Sequence, residues 1–600
     1  MKASSLRSLA PAIALVVLLL SGLALRVWHL DTKPLWLDEV LTALFTTGHR
    51  SDNLPLNQFL PLSTLDAIFA YQPGLSCGQI AQTVATESVH PPLFFCLMYQ
   101  WLGWLKPGAD WLWAMRLLPA LCGVGAIAAL YHLNRLAFFP SAGWMGAGLM
   151  VVSPFAVYLS QEARHYTLPM LLITLALAGL IQIQRDLQTD FHTNLKGNSA
   201  HPRLRPAVWL GWVGLNLLSL YVHYFCILAI VAQVLALLGW IVWQRPPLTR
   251  RQWSAIALAL SGILLGYLPW LPTLLSHIQR PETDWLIPYQ PDWLDRLAPL
   301  YQTLVGWTLM FIALPVERQP QPMLIVSTLL TLAFVIWLGR QLYLGFKLLW
   351  NQVALRPAIV LLLGFTLCVI TEFLAIAYVL NKDITVVPRY NFVYFPGICA
   401  LAGACLMQSG LAKVGGQRSA AIVLLVGLLS SVLVVNGGVF LKSYAPDRVA
   451  KNMAEPGLST GLPTAVVVAY SSLQEVALGL SFAMELRQLY PPLESLSLQQ
   501  NSLQQNSPQL QDRNQIAFLN KALGYPQVWK TLAELRQPLP LPLNLWVVAS
   551  PGMRTQDYPN RLRILDPKYP RRRARNLCAI DPEGYHRIGF PYQLFRCLPQ

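Results

Sequence analysis

Residues 358–380 read AIVLLLGFTLCVITEFLAIAYVL. As an α-helix this run would extend over roughly 35 Å, enough to cross the hydrocarbon core of a bilayer. Comparable runs lie at 9–25, 113–137, 142–159, 168–183, 207–220, 225–242, 256–275, 323–338, 392–407 and 420–441. Together they predict a polytopic α-helical membrane protein with about eleven spans. The composition agrees: over 600 residues, hydrophobic types make up 54% and charged types 12%, against about 25% charge in soluble chains. Twenty Trp, mostly beside apolar runs, suit a membrane–water boundary. Disorder, a coiled coil and an ordinary cytosolic enzyme are excluded.

The net charge of +16 does not form a basic stripe with interleaved aromatics, so no nucleic-acid partner is expected. It gathers in short linkers at 185–205, 245–251 and 340–356, where the positive-inside rule expects it. Alternating spans put these linkers, with Arg135, Lys413 and Arg418, on the inner side. The apolar piece 297–315 would break that alternation if it crossed, so it is read as membrane-associated without crossing. Lys2 and Arg7 precede the first run. Gly22-Leu23-Ala24 would pass as a signal-peptide cleavage site, but the core is longer than the usual one and many spans follow. Residues 1–27 are therefore read as an uncleaved first helix, N-terminus inside.

Four regions follow: the first helix at 1–27, an extracytoplasmic loop at 28–112, a multi-span block at 113–441 and an extracytoplasmic soluble tail at 442–600. Within the loop, 93–105 is apolar but at 13 residues too short to span. In the tail, 466–469 and 545–549 look like buried strands and 473–489 like a helix between them, giving a small α/β domain. The stretch 495–511 is rich in Ser, Gln and Asn and reads as a low-complexity loop. Most cysteines sit inside apolar runs as small packing residues. Cys578 and Cys597 lie in the tail, either bridged or as two free thiols.

Alternation collects a set of polar residues on the outer face: Asp38 and Glu39, His90, Arg116, the stretch Gln161-Glu162-Ala163-Arg164-His165-Tyr166, Tyr221, His223 and Tyr224, and Arg389 and Tyr390. Ionisable groups at membrane depth are costly and point by default to a functional site. Each also has a duller interpretation. Asp38-Glu39 would suit the positive end of an amphipathic helix, and His90-Pro91-Pro92 would shape a loop. Glu162 and Arg164 would form a solvated turn, Arg389 would snorkel to the headgroups, and His223 with Tyr224 would anchor the interface. A divalent metal would find donors in this set, but no compact ligand spacing marks a site. No metal and no other cofactor is assigned.

The order of motifs is what distinguishes the chain. Arg26-x-x-x-Leu30 and Pro34-Leu35-Trp36-Leu37-Asp38-Glu39 are followed by His90-Pro91-Pro92-Leu93. Then come Met115-Arg116-Leu117-Leu118-Pro119-Ala120-Leu121, Ser160-Gln161-Glu162-Ala163-Arg164-x-Tyr166 and Pro388-Arg389-Tyr390. This set resembles the GT-C glycosyltransferases of the protein mannosyltransferase and aminoarabinose-transferase group, glycosyltransferase family 39 in the broad sense. The resemblance covers residues 26–407, and the tail carries no motif of the group. It implies a polyprenyl-phosphate sugar donor in the membrane lipid, with Asp38 as general base and Glu39 orienting or supplementing it. Arg389 and Arg164 would stabilise the departing phosphate, with Arg116 and His90 behind them. The loop departs from the group by an insertion-like stretch at 50–78. Acceptors of three kinds fit: a glycolipid, a cell-envelope polysaccharide or a protein hydroxyl. A multi-span transporter or lipid flippase is the competing class. No internal repeat is visible, and the polar residues gather at one face instead of the midplane.

Overall fold

The computed structural model describes residues 2–195, 205–280, 285–288, 292–411, 416–490, 513–537, 539–565 and 575–599. The stretch 495–511, part of the linker 185–205 and Lys413 lie outside the described residues. The chain divides into two compact units. One comprises Met1–Leu30 and Cys77–Phe440, the other Asp31–Ser76 and Leu441–Gln600. The loop 28–112 is thus shared out, its first half packing with the tail.

The first unit is helical, and all eleven apolar runs fall on helices. Among the described residues seven helices are long and apolar enough to cross a membrane. The pair Pro140–Val152 and Pro154–Ser160, bent by 58°, meets that test when taken together. Three shorter apolar helices, Pro11–Val27, Pro206–Val222 and Phe395–Gln408, cover the remaining runs. The protein is a polytopic α-helical membrane protein.

Several boundaries differ from expectation: the helix over 168–183 runs on to Leu195, the one over 256–275 starts at Arg250, and two more have a readable cause. The helix Gln321–Trp350 runs well past 338, taking Arg340 and Lys347 into it, because long-stemmed basic residues are good helix formers. The run 420–441 stops being helical at Val435, where Gly437 adopts a φ of +69° that favours glycine. The piece 297–315 forms the helix Ala298–Phe311, about 21 Å long and shorter than a bilayer core.

The bend in the Pro140–Ser160 pair has a readable cause. Pro154 has no N–H, so the carbonyl of Met150 loses its helical donor. Arg26, fully buried, supplies the replacement: its Nη2 donates to Met150 O at 2.9 Å, Nη1 to Gly22 O at 3.0 Å and Nε to Ser160 Oγ at 3.1 Å. Ser431 Oγ donates to Val152 O at 2.7 Å on the far side of the break. A buried guanidinium is tolerable when its donors are used in this way. Arg26 in the first motif is therefore a splint for a broken helix. Elsewhere close helix approach depends on missing side chains. A Cβ at Gly345 would sit 2.1 Å from the carbonyl oxygen of Cys405, so Gln321–Trp350 and Phe395–Leu411 meet backbone to side.

The second unit is built on a seven-stranded sheet. Its strands are β1 (Phe59–Pro61), β2 (Thr464–Tyr470), β3 (Gln515–Asn520), β4 (Leu543–Val548), β5 (Arg561–Ile564), β6 (Arg575–Ile588) and β7 (Phe590–Cys597), in the order β1-β3-β2-β4-β7-β6-β5. β2 pairs in parallel with both β3 and β4. Parallel strands are covered on both faces, and β2 (TAVVVAY) and β4 (LNLWVV) are accordingly apolar almost throughout. The helix Leu473–Leu489 follows β2, capped by Ser472, matching the expected span. The loop after the first helix contributes β1, with Phe59 opposite Ala517. Cys578 and Cys597 face each other across β6 and β7 and are bridged. A second bridge, Cys77–Cys96 in the first unit, was not foreseen, since Cys96 stands in an apolar run.

Candidate functional site

Three short connections in the helical unit carry the expected residues, together with the loop that holds His90. Gln161–Tyr166 links Pro154–Ser160 to the helix Thr167–Leu195; His223–Phe225 links Pro206–Val222 to Cys226–Gln244; Pro388–Val393 is a 3₁₀ turn before Phe395–Leu411. His90 lies between the helices Cys77–Glu87 and Leu93–Leu105, which the Cys77–Cys96 bridge ties together. The last turn is set by Gly306 on the helix Ala298–Phe311. A Cβ there would lie 2.2 Å from Nδ2 of Asn391, two residues from Arg389.

These connections bring three imidazoles into one cluster. The ring of His165 lies 4.9 Å from that of His90 and 4.7 Å from that of His223, centroid to centroid. His90 is held by Ser88 Oγ at 3.0 Å from Nδ1, and its Nε2 lies 3.3 Å from Nη2 of Arg164. His223 Nδ1 accepts the Phe225 N–H at 3.0 Å. His165 is completely buried, and neither of its ring nitrogens has a hydrogen-bond partner. The cluster is cationic at its edge. The guanidinium carbons of Arg164 and Arg389 stand 5.8 and 5.9 Å from the centroid of the Tyr166 ring, within cation–π range. Arg389 also lies 5.7 Å from the Tyr390 ring. Burial, and then the positive charge of Arg164, Arg389 and neighbouring imidazoles, pushes His90, His165 and His223 well below their ordinary range.

The other expected residues are placed differently. Glu162 is buried and shares a hydrogen bond with the Tyr158 hydroxyl. Tyr224 is a strut: its hydroxyl lies 2.7 Å from His277 Nδ1 and accepts from Trp270 Nε1 at 3.0 Å. His277 in turn meets Ala85 O at 2.9 Å, which braces the segment leading to His90. Arg116 is buried and donates to Leu30 O at 2.9 Å, at the end of the first helix.

Asp38 and Glu39 belong to the second unit. They occupy the first turn of the helix Leu37–Thr47, where carboxylates suit the positive end of the dipole. The α/β domain fixes that turn. Ser481 Oγ donates to Leu35 O at 2.6 Å, Leu37 N donates to the Tyr444 hydroxyl at 3.2 Å, and Lys442 Nζ stands 3.7 Å over the Trp36 ring. Asp38 is half-buried and Glu39 buried. Among the described residues no group of three or more His, Cys, Asp or Glu is arranged to hold a metal ion.

No protein-family model matches the chain, and no curated protein does. Solved structures do. The chain is similar to ArnT from Cupriavidus metallidurans in the apo state, at 12% identity and a TM-score of 0.49, over 99% of this chain and 98% of that one. It is similar to the same protein bound to undecaprenyl phosphate, at 12% identity and a TM-score of 0.46, over 98% of each chain. A third is the archaeal oligosaccharyltransferase AglB from Archaeoglobus fulgidus in complex with an inhibitory peptide and a dolichol-phosphate. There the identity is 12% and the TM-score 0.42, over 79% of this chain and 63% of that one. The likeness is one of fold, at low identity.

The sequence carries His165 and Tyr166 in the outer-face stretch 161–166 without giving either a role, and it does not mark Tyr158. A lone histidine beside an arginine gives no signal of its own. Only the meeting of three connections, far apart in the chain, makes His165 the centre of a cluster.

Proposed function

We propose that the chain is an integral-membrane glycosyltransferase that moves a sugar from a polyprenyl-phosphate donor to an extracytoplasmic acceptor hydroxyl. The observation that carries this proposal is the cluster of Arg164, Arg389, Tyr166 and three imidazoles at the ends of apolar helices. A lipid-phosphate sugar keeps its tail in the bilayer, so its phosphate must be met at that depth. Two guanidinium groups offer an anion the forked, charge-assisted donors that suit phosphate oxygens. Undecaprenyl phosphate and dolichol-phosphate, present in two of those solved structures, belong to this class of lipid.

The step balances without a cofactor. The acceptor oxygen attacks the anomeric carbon as its proton passes to the Asp38 carboxylate, with Glu39 orienting the base. The bond from that carbon to the phosphate oxygen breaks, and polyprenyl phosphate leaves with its electron pair, its charge met by Arg389 and Arg164. One displacement inverts the anomeric carbon. Both disulfides lie in segments assigned to the outer side, and the free cysteines lie in apolar helices, a distribution that supports an extracytoplasmic site in a cell membrane.

The test is to incubate purified protein with radiolabelled polyprenyl-phosphate hexoses and pentoses and a membrane extract. Label is expected to pass to a glycolipid, polysaccharide or protein. Consumption of no donor, with substrate crossing vesicles instead, would overturn the proposal in favour of a transporter.

A further inference from the structure

His165 has a burden that the rest of the fold does not relieve. It is completely buried with both ring nitrogens lacking a hydrogen-bond partner, an arrangement that costs free energy for each polar group left unmet. It is also enclosed by rings: His90, His223, Phe94 and Tyr166 lie with centroids 4.9, 4.7, 5.8 and 4.7 Å away. Packing alone would be served better by phenylalanine. The charged and titratable groups around the three imidazoles are Arg164 and Tyr166 on the same connection, His277, Arg389 and Tyr390. Glu162 is engaged with Tyr158, and no carboxylate contributes to holding the imidazoles neutral or charged. Among the described residues no anion therefore acts on the three imidazoles. The cluster is made of neutral rings beside two fixed positive charges, and an anion arriving there would change the balance.

Resting on the donor chemistry proposed above, we propose that His165 is a ligand of the donor's phosphate, and that its arrival draws one proton into the cluster of His90, His165 and His223. A phosphate oxygen supplies the acceptor that a His165 N–H lacks. Its negative charge also offsets Arg164 and Arg389, which oppose protonation of the imidazoles in the empty site. An imidazole so protonated then donates to the phosphate, and it loses the proton when the lipid departs.

The sign follows from linkage. If the complex binds one more proton than the free protein, affinity rises as pH falls, by up to about tenfold per unit over the window between the two proton affinities. The whole protein in detergent is titrated calorimetrically with undecaprenyl phosphate at several pH values, in two buffers of different ionisation heat. Inorganic phosphate serves as the arm without a lipid tail. Wild-type protein is expected to take up close to one proton with the lipid. His165→Phe, which keeps the ring packing, is expected to bind at least tenfold more weakly with most of the uptake gone. His165→Asn, which keeps one donor, should recover part of the affinity but not the uptake.

Comparable thermal midpoints of the two variants and wild type establish that they are folded. If His165→Phe binds with wild-type affinity and wild-type proton uptake, the proposal is overturned while the donor chemistry stands. Uptake with inorganic phosphate but none with the lipid would assign the cluster to a free anion and also overturn it. If wild-type protein binds no undecaprenyl phosphate at any pH, the donor chemistry itself falls.

Discussion

At the scale of single residues, base and phosphate ligands should fail in different ways. Asp38→Asn keeps the size of the side chain and removes the basicity. Transfer is expected to slow by about 10²–10⁴ with donor affinity retained, measured as single-turnover rate at saturating donor. Near wild-type turnover would exclude Asp38 as the base and turn attention to Glu39→Gln. Arg389→Lys keeps the charge but loses the planar fork. It should weaken donor binding about tenfold, and saturating donor should restore most of the rate. Arg164→Lys should behave alike, since both guanidinium groups flank the Tyr166 ring. No change in donor affinity for either variant would leave these arginines as membrane anchors. The sequence pointed to these four residues because charge is scarce in apolar surroundings and each charged position stands out. The role of His165 could not be found that way, because its significance lies in what it lacks, and partners are not written in a linear motif. Arg26 was visible too, but as a motif letter; its use as a donor to Met150 O depends on Pro154 more than a hundred residues away.

Elements behave more predictably, because hydrophobic length is a local property. All eleven apolar runs are helices, and the tail helix Leu473–Leu489 was read to the residue. The errors lie at ends, where Arg340 and Lys347 continue a helix that hydropathy alone would stop. Strand β1 was illegible: three residues, Phe59–Pro61, are too few for a periodic pattern, and their partner in β3 lies more than four hundred residues on. So was the tethering of the Leu37–Thr47 helix, whose leading turn is held by Tyr444 and Ser481 of the tail. Close packing gives the sharpest prediction at this scale. Gly345 faces the backbone of Cys405, which cannot rotate away as a side chain would. Gly345→Val should therefore destabilise the helical unit by about 3 kcal/mol, read as a lowered thermal midpoint in detergent. Gly211→Val, with nothing within 4 Å of its added Cβ, is the matched control and should cause at most a minor change. Equal midpoints for the two variants would show that the Gln321–Trp350 and Phe395–Leu411 helices do not meet there.

At the scale of the molecule, charge and sulfur report on sidedness by separate routes. Basic residues gather in alternate linkers, as the positive-inside rule requires. Both bridges, Cys77–Cys96 and Cys578–Cys597, fall in segments that alternation assigns to the outside. The five free cysteines, Cys122, Cys226, Cys368, Cys399 and Cys405, all lie on apolar helices. Disulfides persist in oxidising compartments, so both patterns are what the proposed outer loop and outer tail would give, although neither follows from the other. The proposed topology is open to a direct test. Asn351, exposed at the end of the Gln321–Trp350 helix, should face inward; Asn560, exposed in the tail, should face outward. The native free thiols are buried or half-buried, so a membrane-impermeant maleimide should meet little background in intact cells. Asn560→Cys should then label without permeabilising the membrane, and Asn351→Cys only after it. Labelling of both from outside would mean that an even number of crossings separates the two positions, against the three expected. Asp38 packs with the tail, so labelling of Asn560→Cys only after permeabilisation would place both inside, and the extracytoplasmic reaction would have to be abandoned.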